Sequence, residues 1–248
     1  DRDDQKAVEL VYRLARVAAA HRLVLDIHGV YKPTGQNRTY PNIINFESVF
    51  GLEELKWSNP DMPLYDVTFP FIRMVQGPVD YTPGAYRNAT REGFRIDYRN
   101  PMSQGTRAHQ AAYVVFDAPL VMLCDSPTRY MADEACTRFI ASLPVVFDTT
   151  RVLAGEIGEY IVTARKRQDC WYVGGLTGWT PRTLDVDLSL LDPGREYTAT
   201  LLADDGRSAA EPARYVLSTQ RVTSATRLQI PVAPGGGFAL KIEPADNK

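Results

Sequence analysis

The stretch AVELVYRLARVAAAHRLVLDIHG, residues 7–29, decides the fold class of the first part of the chain. Its apolar side chains first recur every three or four positions, as on one face of a helix: Val8, Val11, Tyr12, Ala15 and Ala18. Acidic residues precede them, where the helix dipole favours negative charge, so a helix is predicted from about Asp4 to His21. A short apolar run follows and ends at His28, as a buried strand would. A helix that leads into a buried strand is the repeating unit of a parallel α/β sheet.

The alternation of helices and short apolar runs continues to about residue 145. We expect a short helix and then a strand ending near Asp80, a helix over about 106–116, a strand in LVMLCDSP (120–127) and a helix over about 132–142. After Pro144, period-two stretches separated by turn residues predict an antiparallel β domain of roughly seven strands. The chain is therefore predicted to be α/β followed by all-β, with functional groups at the carboxyl ends of the parallel strands.

Composition limits the classes of partner. The 248 residues carry a formal net charge of -2, so no basic field points to nucleic acid or to an anionic membrane surface. No apolar run is long enough to span a bilayer. The three cysteines match no metal motif and are expected to be buried, unpaired thiols: Cys124, Cys136 and Cys170. The chain starts without a Met and enters a helix almost at once, which suggests a piece of a longer protein.

Acidic residues and a histidine gather at the predicted strand ends and in one long loop. His28 ends the first strand, and the loop behind it carries Glu47 and Glu53. Asp80 and Asp125 end two later predicted strands. Glycoside hydrolysis uses a pair of carboxyl groups, one as proton donor and one as nucleophile or base, while carboxylates also bind Ca²⁺. The pattern therefore favours acidic chemistry at the edge of a barrel without naming a substrate.

Structural roles are open for the same residues. A histidine at a strand end is often only hydrogen-bonded, and Asp80 and Asp125 are able to cap turns or helices. His109 is interpreted as structural, because alanines surround it in its predicted helix. Three aromatic residues of the β domain suit either a sugar-stacking face or, more readily, a core or interface: Trp171, Tyr172 and Trp179.

Four segments together resemble glycoside hydrolase family 97, a family of α-glucosidases and α-galactosidases. They are HGVYKPTGQNRTYPNIINFESVFGLEE (28–54), GPVDYTPGAY (77–86), LCDSPTRY (123–130) and GEIGEYIVTARKRQDCWYVGGLTGW (155–179). The resemblance implies an N-terminal β-sandwich, a (β/α)8 barrel and a C-terminal β domain in the family. Residues 1–146 would then be the second half of the catalytic barrel, and residues 147–248 a C-terminal β-sandwich domain.

The resemblance also implies roles for single residues. Glu53 would be the general acid, Glu47 a calcium ligand and His28 a contact to sugar hydroxyls, with Glu53 also near the metal. Members that invert carry a Glu after this His, where this chain has Gly29, so the resemblance is to the retaining, α-galactosidase-like members. Their Asp nucleophile precedes a segment like DRDDQ, and it would therefore lie just upstream of Asp1.

These implications define the expected function and its alternatives. The chain is expected to belong to a calcium-dependent retaining enzyme that cleaves terminal α-linked sugars from an oligosaccharide or α-galactoside, and to need the missing N-terminal half as its partner. Alone it is expected to be inactive. The alternatives are a non-catalytic carbohydrate-binding protein or an α-glucosidase of the same family. The resemblance suggests a periplasmic or extracellular location.

Overall fold

The computed structural model describes residues 2–245, apart from the side chains of residues 110–112. Helix α1 (Gln5–Ala20) begins at Asp4, whose side chain accepts a hydrogen bond from the backbone N of Ala7 at 3.0 Å. It buries Val11 and Ala15 against strands β1 (Leu25–Ile27) and β2 (Ile43–Phe46), and Ala18 is also buried. The predicted helix is confirmed, and so is the strand after it, although β1 is only half-buried and Leu23 and Val24 before it are 57% and 65% exposed.

Strands β1 and β2 pair in parallel, and Phe46 forms a further parallel bridge with Val79. Three chain segments therefore run side by side in the same direction. Short helical segments connect them: α2 (Gln36–Thr39), a 3-10 helix (Leu52–Lys56), α3 (Met62–Asp66), α4 (Phe69–Ile72) and a 3-10 helix (Met74–Gln76). The predicted strand ending near Asp80 is reduced to the single bridge at Val79.

The rest of the first part is irregular, and two predictions fail there. It contains the short strands β3 (Asn88–Ala89) and β4 (Ser103–Gln104), a 3-10 helix (His109–Val114), α5 (Pro127–Ala132) and α6 (Glu134–Ala141). The helix predicted over 106–116 does not form as an α-helix. Its first backbone N–H groups bond instead to the β domain, Thr106 to Gly235 O at 2.8 Å and Arg107 to Pro212 O at 2.7 Å.

The strand predicted in residues 120–127 is also absent. Within that stretch, the backbone N of Cys124 bonds to Pro83 O, and no strand of the described residues pairs with it. The side chains of Leu120, Met122 and Leu123 are 40–51% exposed, so this apolar run has no covering layer here. The helix predicted over 132–142 is present as α6.

The all-β prediction is confirmed, with eight strands rather than seven in the part of the chain that the structure describes. They are β5 (Thr149–Glu156), β6 (Tyr160–Arg167), β7 (Cys170–Thr177), β8 (Arg182–Asp187), β9 (Tyr197–Ala203), β10 (Val216–Val222), β11 (Arg227–Val232) and β12 (Gly237–Pro244). Six form an antiparallel sheet in the order β10-β9-β12-β7-β6-β5, and β8 pairs with β11. A large apolar core joins the six-stranded sheet to this pair.

The other face of the six-stranded sheet packs on the first part of the chain. Ile161 and Leu176 of the sheet share a core with Phe69, while Tyr172 packs with Val114. The indole N–H of Trp179 donates to Asp61 Oδ1 at 2.7 Å. Trp171 and Tyr172 are only 5–6% exposed. Trp171, Tyr172 and Trp179 therefore belong to the core and the interface, which agrees with the interpretation favoured from the sequence.

The cysteines agree with their prediction in being unpaired: Cys136 is buried, and Cys124 and Cys170 are half-buried. No helix among the described residues is both long enough and apolar enough to cross a lipid bilayer.

Candidate active site

The three residues singled out by the sequence lie together at the carboxyl ends of β1 and β2. His28 directly follows β1, and Glu47 directly follows β2. His28 Nδ1 lies 3.6 Å from Glu47 Oε1 and 3.7 Å from Glu53 Oε1. The structure therefore brings the two carboxyl groups to one atom of the histidine, although 25 residues separate the farthest members in sequence.

Glu53 is placed by a short helix that is anchored on its inner side. Leu52 and Leu55 are 4% and 1% exposed, so they fix the 3-10 helix on the core. The backbone N of Leu52 donates to Tyr81 O at 3.0 Å. Glu53 lies between these leucines in sequence and keeps its side chain 32% exposed. The apolar residues of the long loop thus hold its acidic residue at the surface.

Glu47 is held by the backbone of Gly29. The N–H of Gly29 donates to Glu47 Oε2 at 2.6 Å, which leaves Oε1 on the side of His28 and Glu53. Gly29 has φ +61, a left-handed conformation that glycine adopts without a steric penalty. With only 15% of its side chain exposed, Glu47 is the more enclosed of the two glutamates.

Asp80 is a fourth member of the site. It is 2% exposed, and its Oδ2 lies 2.5 Å from His28 Nε2. The two ring nitrogens of His28 therefore face different groups, a buried carboxylate on one side and two partly exposed carboxyls on the other. The sequence predicts Asp80 only as a strand-end residue, because strand ends alone do not show which side chains meet.

Asp26 and Asn45 complete the polar layer beneath His28. Asn45 Nδ2 donates to Asp26 Oδ2 at 3.3 Å and to Leu120 O at 2.7 Å. Burial and then the charge of Asp80 raise the pKa of Asp26 to about 6. The pKa of His28 also lies above its ordinary value: burial lowers it, but the hydrogen bond with Asp80 and the charges of the surrounding carboxylates raise it by more.

Residues near the site also line an open cleft of about 800 Å³. Its walls include His28, Glu47, Lys32, Phe50 and Tyr65. Tyr65 is tied to the loop, because its hydroxyl accepts a hydrogen bond from the backbone N of Phe50 at 3.0 Å. A cleft with carboxyl groups and a histidine at its surface is accessible to a polar ligand.

The donor set fits a hard cation in part. One ligand atom each from His28, Glu47 and Glu53 lies within 4.8 Å of the others. Ca²⁺ prefers six to eight oxygen ligands, so the two glutamates suit it better than the imidazole nitrogen does. These carboxylates would supply part of a calcium shell, and the remaining oxygens would have to come from elsewhere.

Two other candidates have structural roles. Asp125 Oδ2 accepts from the backbone N of Tyr86 at 2.8 Å, and its Oδ1 accepts from Ser126 N at 2.8 Å. Asp125 therefore fixes a turn, the alternative left open for it. His109 is 1% exposed and bonded to Asp66, which confirms its structural interpretation.

Comparison with known proteins identifies the class of this fold and site. Residues 1–49 match the family model described as "Glycoside hydrolase 97", and residues 146–243 match "Glycosyl-hydrolase 97 C-terminal, oligomerisation". A solved glycoside hydrolase family 97 enzyme from Pseudoalteromonas sp. strain K8, in complex with panose, superposes with a TM-score of 0.85. It is 30% identical, over 94% of this chain and 36% of that one.

Curated relatives agree with the two family models. The chain is 50% identical over 246 residues to a "Retaining alpha-galactosidase" of Bacteroides thetaiotaomicron, covering 98% of this chain and 37% of the relative. It is 31% identical to a "Probable retaining alpha-galactosidase" of Streptomyces bingchenggensis, covering 96% of this chain and 34% of that one. The chain belongs to glycoside hydrolase family 97. It spans little more than a third of the length of these relatives.

Proposed function

We propose that this chain is part of a retaining α-galactosidase-like glycoside hydrolase that cleaves terminal α-linked sugars. The observation that carries the proposal is the convergence of Glu53 and Glu47 on His28 at the carboxyl ends of parallel strands. The name of the 50% identical relative supports the same reaction. The substrate would be an oligosaccharide or α-galactoside.

The proposal includes the architecture of the catalytic part. Residues 1–146 would be the second half of a (β/α)8 barrel, and residues 147–248 a separate β-sandwich domain. Support comes from two apolar edges that no residue in the described range 2–245 covers. On α1, Leu10, Leu14 and Val17 are 46–53% exposed, and the run containing Met122 and Leu123 is similarly open. The preceding half of the complete enzyme would cover both edges, since exposed apolar patches mark interaction surfaces.

Glu53 would act first as acid and then as base. Its carboxyl proton passes to the glycosidic oxygen while the C1–O bond breaks and an Asp carboxylate bonds to C1. In the second step, water attacks C1, the bond to Asp breaks, and Glu53 takes the proton from the water. In the retaining members that this chain resembles, the Asp nucleophile precedes a segment like DRDDQ, so it would belong to the preceding part of the enzyme.

Glu47 and Glu53 would hold Ca²⁺. When bound, the ion would lower the pKa of its carboxylate ligands and polarise substrate hydroxyls, so the acid role of Glu53 would need a compensating interaction that favours its protonated form. Glu53 Oε1 is the oxygen that faces His28 and Glu47. Its other oxygen is then available to carry the proton for the leaving group. His28 Nδ1 would bind a hydroxyl of the substrate from the same side.

The test replaces Glu53 by Gln in the complete enzyme. Hydrolysis of a natural α-galactoside should fall by about 10²-fold or more, since general acid catalysis contributes that much. An aryl α-galactoside with a good leaving group should lose less, because its oxygen needs less protonation. Glu134→Gln is the control. Glu134 is a glutamate of α6 that is 68% exposed, pairs with Arg138 and does not line the cleft, so its loss of charge should leave hydrolysis unchanged.

The outcomes separate the proposal from its alternatives. Unchanged hydrolysis of the natural substrate by Glu53→Gln would contradict the assigned acid. Sugar binding without turnover by the wild-type enzyme would indicate a carbohydrate-binding protein. Faster turnover of α-glucosides than of α-galactosides would indicate an α-glucosidase.

A further inference from the structure

The carboxylate of Asp80 is buried directly behind His28. It is 2% exposed, its Oδ1 accepts from no N–H or hydroxyl donor among the described residues, and the carboxyl of Asp26 lies beside it. The one ion pair of its carboxylate there is with His28. A buried carboxylate is destabilising unless it is paired, so the bond to His28 Nε2 has to offset much of this cost.

The bond fixes which nitrogen of His28 carries a proton. A carboxylate only accepts hydrogen bonds, so Nε2 must donate to Asp80 Oδ2 at 2.5 Å. Nδ1 is left facing the cleft. Its distances to Glu47 and Glu53 are 3.6 Å and 3.7 Å, too long for hydrogen bonds, so this atom remains available to a ligand.

The backbone makes this arrangement rigid. Val79 pairs with Phe46 at the end of β2, and the N–H of Asp80 donates to Phe46 O at 3.3 Å. Phe46 is also the acceptor for the guanidinium of Arg73, at 2.9 Å. Asp80 therefore stands on the end of a paired segment, whereas His28 has 43% of its side chain exposed and would otherwise be free to rotate.

We propose that Asp80 is a positioning residue, which keeps Nε2–H of His28 on its own carboxylate and so directs Nδ1 at a substrate hydroxyl in the cleft. The proposal rests on the proposed function and deepens it. Asp80 touches neither the substrate nor the reacting atoms. Its whole effect on the reaction passes through His28, as for carboxylates that orient catalytic or metal-bound histidines elsewhere.

A double-mutant cycle in the complete enzyme tests this. Asp80→Asn keeps the size of the side chain but removes its charge, and it should lower kcat/KM on an α-galactoside by about 10–100-fold. The loss should lie mainly in KM, because the affected atom binds the substrate both before and during the reaction. Asp80→Asn combined with His28→Gln should be no worse than His28→Gln alone, since the two residues act as one unit.

Controls distinguish positioning from folding. Asp204→Asn removes a buried carboxylate of the β domain that accepts from the backbone N of Ala233 at 2.9 Å and does not line the cleft, and it should leave kcat/KM within about 3-fold of wild type. If Asp80→Asn shows no cooperative thermal transition, Asp80→Ser, which keeps an oxygen acceptor, replaces it in the cycle.

Two results would overturn the proposal. One is a kcat/KM for the Asp80 variant equal to that of wild type. The other is a fold-loss of kcat/KM in the double variant equal to the product of the two single fold-losses, which would show that Asp80 acts without His28. Absence of wild-type turnover on every α-galactoside would instead remove the proposed function, and this inference with it.

Discussion

Replacing His109 alone by leucine should destabilise the protein more than replacing both His109 and its hydrogen-bonded partner Asp66. His109 is 1% exposed and lies where the first part of the chain meets the β domain. Its Nδ1 is 3.1 Å from Gly236 O, and its Nε2 is 2.9 Å from Asp66 Oδ2. Because a carbonyl only accepts, Nδ1 donates to Gly236, and a second proton must lie between Nε2 and Asp66.

The leucine variant removes both hydrogen bonds at once. It leaves the carboxyl of Asp66, itself 1% exposed, without its histidine partner. Breaking a buried pair by removing one partner costs about 3–5 kcal/mol. Adding Asp66→Ala removes the stranded carboxyl, so the double variant should be more stable than His109→Leu, although less stable than wild type.

The pH dependence has a definite sign. Burial, the largest cause, raises the pKa of Asp66 above its ordinary value. A group whose pKa is higher in the folded state loses stability as pH rises through that range. Losing His109 removes an interaction that favours the charged carboxyl, so the penalty of His109→Leu should be larger at pH 8 than at pH 5.

Thermal unfolding of the complete enzyme measures these differences. A unit of 150–250 residues shifts by about 2–4 °C per kcal/mol and a longer one by less, so the leucine variant of the complete enzyme should melt a few degrees below wild type. The reasoning would be refuted if the two substitutions were additive. The double variant would then melt below His109→Leu by as much as Asp66→Ala alone melts below wild type. The two residues would then contribute independently rather than as a pair.

Three further perturbations have expected outcomes. Removal of calcium by a chelator should lower the activity and melting temperature of the complete enzyme, and Ca²⁺ but not Mg²⁺ should restore both; unchanged values would contradict the calcium proposal. Asp26, with a pKa raised to about 6 by burial and by Asp80, should lower stability as pH rises from about 4 to about 6. Asp26→Asn should flatten that dependence by about 1 kcal/mol, a value discounted for partial exposure, and melting curves at both pH values check it. Gly175→Ala should cost about 1–3 kcal/mol, because its Cβ would lie 2.2 Å from Phe238 Cε1, whereas Gly206→Ala, with nothing within 4 Å, should melt like wild type.

Local patterns predicted the elements whose partners lie nearby in sequence. Helix α1 matched its predicted bounds to within one residue at each end, since an amphipathic face and an aspartate cap specify it locally. The antiparallel strands after residue 148 were also predicted from local sequence, because alternating apolar and polar residues and the turn residues between them mark each strand. The division of the chain at residue 146 stays a prediction.

Predictions failed where distant partners decide the backbone. The alanines around His109 favour a helix, but the N–H groups before it bond to loops of the β domain more than 100 residues away. Helix propensity is a weak preference, and such tertiary bonds override it. In LVMLCDSP the composition is that of a buried strand, yet no described strand pairs with it. A covering half-barrel, as proposed, would give that apolar run the environment its composition predicts.

In the candidate site, too, the sequence predicts single residues but not their distant contacts. Each acid could be read from the sequence as a strand-end or loop residue, but not which of them meet. That depends on the bridge between Phe46 and Val79, which places Asp80 against His28 across 52 residues. The next residue, Tyr81, accepts the N–H of Leu52 and so positions the helix that carries Glu53. One segment, Val79–Tyr81, therefore aligns both the histidine and the proposed acid, and a shift of its register would move both together.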